Sequence, residues 1–302
     1  MKTPQTPFPA LATALGVPEL WLKREDQHHF GSHKGRSIPL MIDHYWHKEN
    51  TTNFTISSSG NAALAAALAV QHHNTNNPDK PITLKIFVGN KIPEAKIARL
   101  KNLTDSRITL EQVANPKQAA FQLEASGAAK NLRQSTDDLA LQGYHELAQE
   151  LLHIPNLQAV FVPTSSGTCA QAIAEYFVAN ANPIPQVHIV QTDFCHPIAA
   201  AFQNPICPTH GKTPAAPTSS LASAIVDNVA HRKFPVIDAV LKTQGTGWIV
   251  SDHEIQAAID LVKGKTSLNI SPNSALSIAG LAQATALNKK FSGPVACLIT
   301  GA

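Results

Sequence analysis

Short apolar runs alternate with longer stretches of helical apolar spacing along most of the chain. Short apolar or β-branched runs are typical of strands, and apolar residues three to four positions apart are typical of helices. The predicted strands are Leu20 to Lys23, Asn53 to Ile56, Ile82 to Val88, Arg107 to Val113, Gln158 to Val162, Gln186 to Gln191, Gly247 to Val250 and Val295 to Ile299. The predicted helices are Gly35 to Lys48, Asn61 to His73, Pro93 to Leu103, Pro116 to Ala129, Leu141 to Leu152, Thr168 to Ala179, Asp252 to Lys263 and Ser274 to Asn288. This alternation predicts an α/β fold whose sheets are mostly parallel, with helices on their faces.

Two of the predicted strand-to-helix turns are rich in small hydroxyl residues. The first runs from Ser57 to Asn61 (SSSGN), and the second runs from Thr164 to Thr168 (TSSGT). The N-terminus of a helix presents backbone N–H groups, and its dipole favours a negative charge. Each turn is therefore a candidate site for a phosphate or a carboxylate. The alternative is an ordinary N-cap, in which a Ser or Thr hydroxyl satisfies the first turn of the helix.

Lys34 lies in Gly31 to Arg36 (GSHKGR), where the next helix is predicted to begin. A lysine amine forms a Schiff base with an aldehyde when it is unprotonated, which partial desolvation and a nearby cation promote. Arg36, two residues further on, supplies such a cation. Taken alone, the motif is equally compatible with a lysine at the start of a helix that has no chemical role.

The segment from Thr6 to Arg36 resembles the opening of the fold-type II pyridoxal-phosphate enzymes, which include threonine synthase, threonine dehydratase, cysteine synthase and the tryptophan synthase β subunit. The matching motifs are Thr6 to Phe8 (TPF), Leu20 to Asp26 (LWLKRED) and Gly31 to Arg36. The resemblance extends over nearly the whole chain. Within the family it looks most like threonine synthase, on the basis of Ser220 to Ile225 and Gly245 to Ile255.

The resemblance implies pyridoxal phosphate as the cofactor and Lys34 as the catalytic residue that carries it and then removes the α-proton of the substrate. By the same resemblance Asn61 contacts the ring hydroxyl of the cofactor, and Thr300 meets its pyridine nitrogen. The residues that hold the cofactor phosphate are then Thr164, Ser165, Ser166, Gly167 and Thr168. Those that bind the substrate α-carboxylate are Ser58, Ser59, Gly60 and Asn61.

The resemblance also implies two three-layer α/β domains with the cofactor in the cleft between them. The large cofactor-binding domain would comprise residues 1–37 and 141–302, and the small, mobile substrate-carboxylate domain would comprise residues 38–140. A homodimer is expected for the same reason. The stretch Asn204 to Ser220, which is rich in Pro and Thr, predicts a surface loop or lid.

The sequence departs from the family pattern at several positions near the candidate site. His28 to Phe30 replaces the common Asn-Pro-Thr, and the Ser165–Ser166 pair stands in a cradle that is usually richer in glycine. Ala62 replaces the threonine that commonly follows the loop asparagine. Asp137 and Asp138 occupy the region where threonine synthase is expected to hold the phosphate of its substrate, O-phosphohomoserine, and carboxylates there repel a phosphate.

These observations predict elimination or replacement on a small amino-acid substrate, most like the reaction of threonine synthase. A hydroxyl at Thr300, unlike an acid, does not enforce a protonated ring, which favours elimination and replacement over transamination. One alternative is a serine or threonine dehydratase, or a related lyase, which needs no phosphate pocket. Another, from a different class, is a catalytically weak subunit that binds cofactor or amino acid and has a regulatory role.

Composition narrows the remaining classes of function. The 302 residues are 43% hydrophobic and 15% charged, with a net charge of +3, as in a soluble metabolic enzyme. No apolar stretch is long enough for a membrane span and no signal-peptide pattern is present, so a cytoplasmic location is expected. Basic residues are dispersed, which argues against nucleic-acid binding. The four cysteines and 14 histidines lack the spacing of metal ligands, so no metal site is expected.

Overall fold

The computed structural model describes residues 2–92, 94–202 and 219–301, which form two compact units. The first unit comprises Met1–Gln27 and Tyr144–Ala302, and the second comprises His28–Gly143. The predicted small domain, residues 38–140, lies inside the second unit, which also contains Lys34. The functional division into a cofactor domain and a substrate domain stays a prediction.

In its described part, the first unit contains a six-stranded sheet in the order β1-β2-β10-β7-β8-β9. Its strands are β1 (Gln5–Pro7), β2 (Leu20–Arg24), β7 (Ala159–Pro163), β8 (Gln186–Thr192), β9 (Gly247–Val250) and β10 (Val295–Ile299). Its helices are α1 (Pro9–Leu15), α7 (His145–Leu151), α8 (Thr168–Asn180), α9 (Lys233–Lys242), α10 (Asp252–Thr266) and α11 (Pro272–Ala286). Strand β1 runs antiparallel to β2, and the other neighbouring strands run parallel.

The second unit, as described, contains a four-stranded parallel sheet in the order β5-β4-β3-β6. Its strands are β3 (Asn53–Ser57), β4 (Thr83–Gly89), β5 (Ile108–Val113) and β6 (Lys130–Asn131). Its helices are α2 (Lys34–Glu49), α3 (Asn61–Asn76), α4 (Glu94–Lys101), α5 (Pro116–Ala125) and α6 (Leu139–Gln142).

Each unit has its own hydrophobic core, and the predicted α/β class with mostly parallel sheets is confirmed. The first core packs β2, β7 and β10 against α1, α10 and α11, and the second packs β3 and β4 against α2 and α3. Strands buried on both faces read as continuous apolar runs, as β7 and β10 do. In a parallel sheet the carboxyl ends of the strands meet at one edge, which is where α/β folds bind ligands.

Some predicted elements differ from the structure. The predicted helix Leu141 to Leu152 is wrong as one element, because Gly143 separates α6 from α7. A Cβ atom on Gly143 would lie 2.3 Å from the Cα atom of Ser37, so this position is fixed by packing against α2. The predicted helix Pro116 to Ala129 ends at Ala125, and Gly127 turns the chain with a φ of 73°.

The short elements β1, β6, α1 and α9 were not predicted. Strands β1 and β6 and helix α1 are too short to set a periodic repeat, since they have three, two and seven residues. The predicted loop or lid Asn204 to Ser220 falls largely outside the described residues, as does Pro93 at the predicted start of α4.

Candidate active site

The turn that follows β3 joins the carboxyl end of that strand to helix α3. Ser58, Ser59 and Gly60 form the turn, and Asn61 is the first residue of the helix. The Gly60 amide donates a hydrogen bond to the Ser58 hydroxyl at 3.2 Å. Gly60 is itself the N-cap residue, and no side chain caps α3. The backbone donors of the first turn are thus not satisfied by a serine side chain.

The turn that follows β7 has the same construction in the other unit. Gly167 is the N-cap of α8, with a φ of 90°, and no side chain caps this helix either. The Ser166 and Thr168 hydroxyls lie 3.1 Å apart. The Gln191 side chain on β8 binds this turn, since its Nε2 donates to the Ser165 carbonyl at 3.4 Å.

Gly167 is required by both its backbone and its surroundings. A φ of 90° lies in the region that residues with a Cβ atom rarely adopt. A Cβ atom built there would lie 2.4 Å from Cγ2 of Val236, which belongs to α9. The backbone at Gly167 therefore lies so close to α9 that a residue with a side chain would clash there.

Two other helices of the described chain do carry a serine cap. Ser251 and Glu254 form a reciprocal capping box at the start of α10, and the Ser271 hydroxyl accepts from the Ser274 amide at the start of α11. The two candidate turns contain several serines and threonines but place a glycine at the N-cap. The alternative of a routine serine cap is therefore wrong at both turns.

Thr300 follows directly after β10 and is 3% exposed. Strand β10 pairs in parallel with β7, so Thr300 and the turn from Thr164 to Thr168 lie at the same edge of neighbouring strands. The next residue, Gly301, is held by α11, because its carbonyl accepts from the Ser271 hydroxyl and, at 3.0 Å, from the Ser274 hydroxyl. The first unit thus brings the predicted phosphate-binding and ring-binding residues to one sheet edge.

Lys34 is the first residue of α2, and its amine donates a hydrogen bond to Oε1 of Gln134 at 2.7 Å. Gln134 lies a few residues beyond β6, which pairs in parallel with β3. The carboxyl end of β3 leads into the turn from Ser58 to Asn61. The second unit thus places the Lys34 amine at the sheet edge from which that turn projects.

His28 packs against Gly35, the residue after this lysine. It is 5% exposed, and its Nδ1 accepts from the Phe30 amide at 3.2 Å. A Cβ atom on Gly35 would lie 2.3 Å from the same Nδ1 atom, so the glycine after Lys34 makes room for the imidazole. The departure at His28 to Phe30 is therefore accommodated within the GSHKGR motif itself.

Asp137 lies away from the lysine. Its Oδ2 accepts from the Tyr45 hydroxyl at 2.5 Å, and its Oδ1 accepts from the Leu139 amide at 3.0 Å. Tyr45 is eleven residues after Lys34 on α2, which at the ordinary helical rise places it about 16 Å further along the helix axis. Burial and this hydrogen bond raise the pKa of Tyr45 above its ordinary value, so the phenol keeps its proton. Asp137 is thus occupied by a structural contact on α2.

The family model described as pyridoxal-phosphate dependent enzyme matches residues 1–301. The chain belongs to this family. Threonine synthase from Methanocaldococcus jannaschii is 25% identical over 292 residues, which cover 90% of this chain and 66% of that protein. The human L-serine dehydratase/L-threonine deaminase is 31% identical over 157 residues, which cover 50% of this chain and 44% of that protein. The chain thus spans less than two-thirds of the length of these curated relatives.

Solved structures of the family share the fold along the entire chain. The processed form of threonine deaminase isoform 2 from Solanum lycopersicum has a TM-score of 0.79 at 21% identity, covering 100% of this chain and 84% of that one. A maize serine racemase also has a TM-score of 0.79, at 18% identity, covering 100% and 88%. These likenesses establish the fold-type II architecture.

The cofactor of the family is pyridoxal phosphate, and the residues present fit it. No side chain caps α3 or α8, so the backbone N–H groups of these two helix N-termini can donate to anionic groups. Lys34 supplies a primary amine on a helix at the sheet edge. Among the described residues, no group of three or more His, Cys, Asp or Glu side chains is arranged to hold a metal. No helix in that part of the chain is both long enough and apolar enough to cross a bilayer.

The sequence contained no signal for Gln134, because it is one hundred residues from Lys34 and outside any motif. The two glycine caps were visible only as members of Ser-rich turns. The available signal was that glycine stands directly before each predicted helix start. A Ser or Thr is a common N-cap residue, so glycine at that position indicates a helix without a hydroxyl cap.

Proposed function

We propose that the protein catalyses elimination or replacement on a small amino acid, with Lys34 as the catalytic amine. The observation that carries the proposal is the position of Lys34 at the start of α2, with its amine at the carboxyl edge of the second sheet. The family establishes pyridoxal phosphate as the cofactor. When bound, this cofactor stabilises negative charge that develops at the α-carbon of the substrate.

The proposed roles follow from the two glycine-capped turns. Thr164 to Thr168 would hold the cofactor phosphate through backbone N–H groups and hydroxyls, and Thr300 would contact the ring nitrogen. Asn61 would contact the ring hydroxyl, and Ser58, Ser59 and Gly60 would bind the substrate carboxylate. Lys34 then removes the α-proton as general base, and a hydroxyl or phosphate at the β- or γ-carbon departs.

Borohydride reduction of the cofactor-loaded protein tests the central residue. Digestion and mass spectrometry should find the pyridoxyl label on the peptide that contains Lys34. The Lys34→Ala variant should carry no label there, whereas Lys91→Ala, outside the site, should be labelled like the wild type. Absence of the label from the Lys34 peptide of the wild type would refute the assignment.

Threonine synthase activity is the leading specific candidate. The match to the archaeal threonine synthase covers 90% of this chain, whereas the match to the human dehydratase covers half of it. The placement of Asp137 also weakens the objection from sequence, because Tyr45 and a backbone amide already occupy that carboxylate. Asp138, which is exposed, remains the residue least compatible with a substrate phosphate.

A serine or threonine dehydratase is the second candidate, favoured by the solved threonine deaminase that shares the fold and by the human relative. The two are separated by supplying O-phosphohomoserine, serine and threonine in parallel. Phosphate release from the first supports threonine synthase, and 2-oxo acid formation from the others supports a dehydratase. Cofactor binding without turnover of any amino acid would instead support the regulatory subunit.

A further inference from the structure

The contact between Lys34 and Gln134 is built by packing along the length of α2. The contacts of this helix with residues 134–143 include the Lys34 amine with Gln134, the Ser37 hydroxyl with the Ala140 carbonyl at 2.8 Å, and Tyr45 with Asp137. Gly143 closes the packing, since any side chain there would strike the backbone of α2. Gln134 is therefore held against the lysine by its whole segment.

Gln134 is also fixed from the side of the sheet. Its side chain is buried, with 6% exposed. Two residues earlier, the Leu132 amide donates to the Thr55 carbonyl of β3 at 2.9 Å, and the Thr136 amide closes a turn onto the Arg133 carbonyl at 3.2 Å. Backbone hydrogen bonds on both sides of Gln134 fix its position, and its buried side chain has little freedom to move. Such a side chain can hold a neighbouring group in one orientation.

We infer that Gln134 is a positioning residue, whose amide oxygen orients the Lys34 amine for proton transfer and for its reaction with an aldehyde. A neutral amine has two N–H groups and one lone pair, so an acceptor that takes one N–H restricts rotation about the Cε–Nζ bond. The lone pair is then confined to fewer directions. An amide does this without a negative charge, whereas a carboxylate in its place would stabilise the ammonium form and suppress the base.

This inference rests on the proposed role of Lys34 and is tested separately from it. The variants are Gln134→Leu, which removes the acceptor, and the near-isosteric Gln134→Glu, which charges it. Gln142→Glu, an exposed position in the same unit, is the matched control. Thermal unfolding confirms that each variant folds, and borohydride mapping confirms that Lys34 still carries the cofactor.

The first readout is the acetylation rate of Lys34 by acetic anhydride in full-length protein stripped of cofactor, followed by mass spectrometry across pH. Gln134→Glu should slow labelling of Lys34 by about tenfold or more near pH 8, because an adjacent opposite charge favours the protonated amine. It should also move the midpoint of the labelling curve to higher pH. Gln142→Glu should label Lys34 at the wild-type rate.

The second readout is exchange of the substrate α-proton with deuterated solvent in the cofactor-loaded protein. Gln134→Glu should lose exchange near neutral pH and recover it at higher pH, whereas Gln134→Leu should be slowed about tenfold at every pH with little change in KM. If both variants match Gln142→Glu in labelling and in pH profile while Lys34 still carries the cofactor, the inference is overturned. Failure to find cofactor on Lys34 would instead overturn the proposed function.

Discussion

The turn that ends at Gly167 gives the sharpest quantitative prediction. In Gly167→Ala, a residue with a Cβ atom is forced to a φ of 90°, which costs about 1–2 kcal/mol. The new methyl group also lies 2.4 Å from Cγ2 of Val236, well inside van der Waals contact, and overpacking of this kind costs about 1–3 kcal/mol. The two effects together amount to about 2–5 kcal/mol.

Part of this cost should appear in cofactor affinity, because the turn is the proposed phosphate site and relieving the clash displaces its backbone donors. We expect Gly167→Ala to lower the unfolding temperature and to weaken binding of pyridoxal phosphate by at least tenfold, at about 1.4 kcal/mol per factor of ten. Equilibrium dialysis against pyridoxal phosphate and differential scanning calorimetry measure the two effects.

Gly16→Ala is the matched control, since Gly16 has a φ of 68° in the same unit but no atom within 4 Å of the position that a Cβ would take. Gly16→Ala should lower stability only by the cost of placing a residue with a Cβ atom at a positive φ, and it should leave cofactor affinity unchanged. Combining Gly167→Ala with Val236→Ala should recover part of the lost affinity, which measures the coupling between the two positions. If Gly167→Ala behaves like Gly16→Ala in both assays, the reasoning from close approach is refuted.

Three further predictions concern other parts of the protein. Burial lowers the pKa of His188 to about 3, so its contribution to the free energy of unfolding is full above the ordinary pKa of 6.5 and is lost as pH falls toward 3. In urea unfolding between pH 8 and pH 5, His188→Gln should therefore lose about 2 kcal/mol less stability than the wild type. His253 is exposed, and if His253→Gln gave the same dependence of stability on pH as His188→Gln, the prediction would be contradicted. Gly245→Ala should unfold at lower temperature than Gly264→Ala, because its Cβ would lie 1.8 Å from a β8 carbonyl, whereas Gly264 has open space; equal melting curves would argue against it. Asn61→Ala should weaken cofactor binding in dialysis without shifting the melting curve of cofactor-free protein, and unchanged binding would remove Asn61 from the site.

Most of the candidate site residues could be singled out from the sequence because their motifs are local. Lys34 and the turns at Ser58 and Thr164 each lie within a few residues of a strand end or helix start, where the sequence fixes backbone direction. The apolar runs of β7 and β10 likewise predicted buried parallel strands. Elements too short to repeat a pattern, such as β6, were invisible for the same reason.

The sequence by itself determined the α/β class and the family, and it singled out Lys34 as the candidate lysine, since each of these depends on residues that are neighbours along the chain. The tertiary structure decided which acceptor meets that lysine, how both turns are capped and where Asp137 points. Gln134 reaches Lys34 only because β6 pairs with β3 and the following segment packs along α2. Such contacts depend on sheet order and packing across a hundred residues, and local preferences carry no information about either.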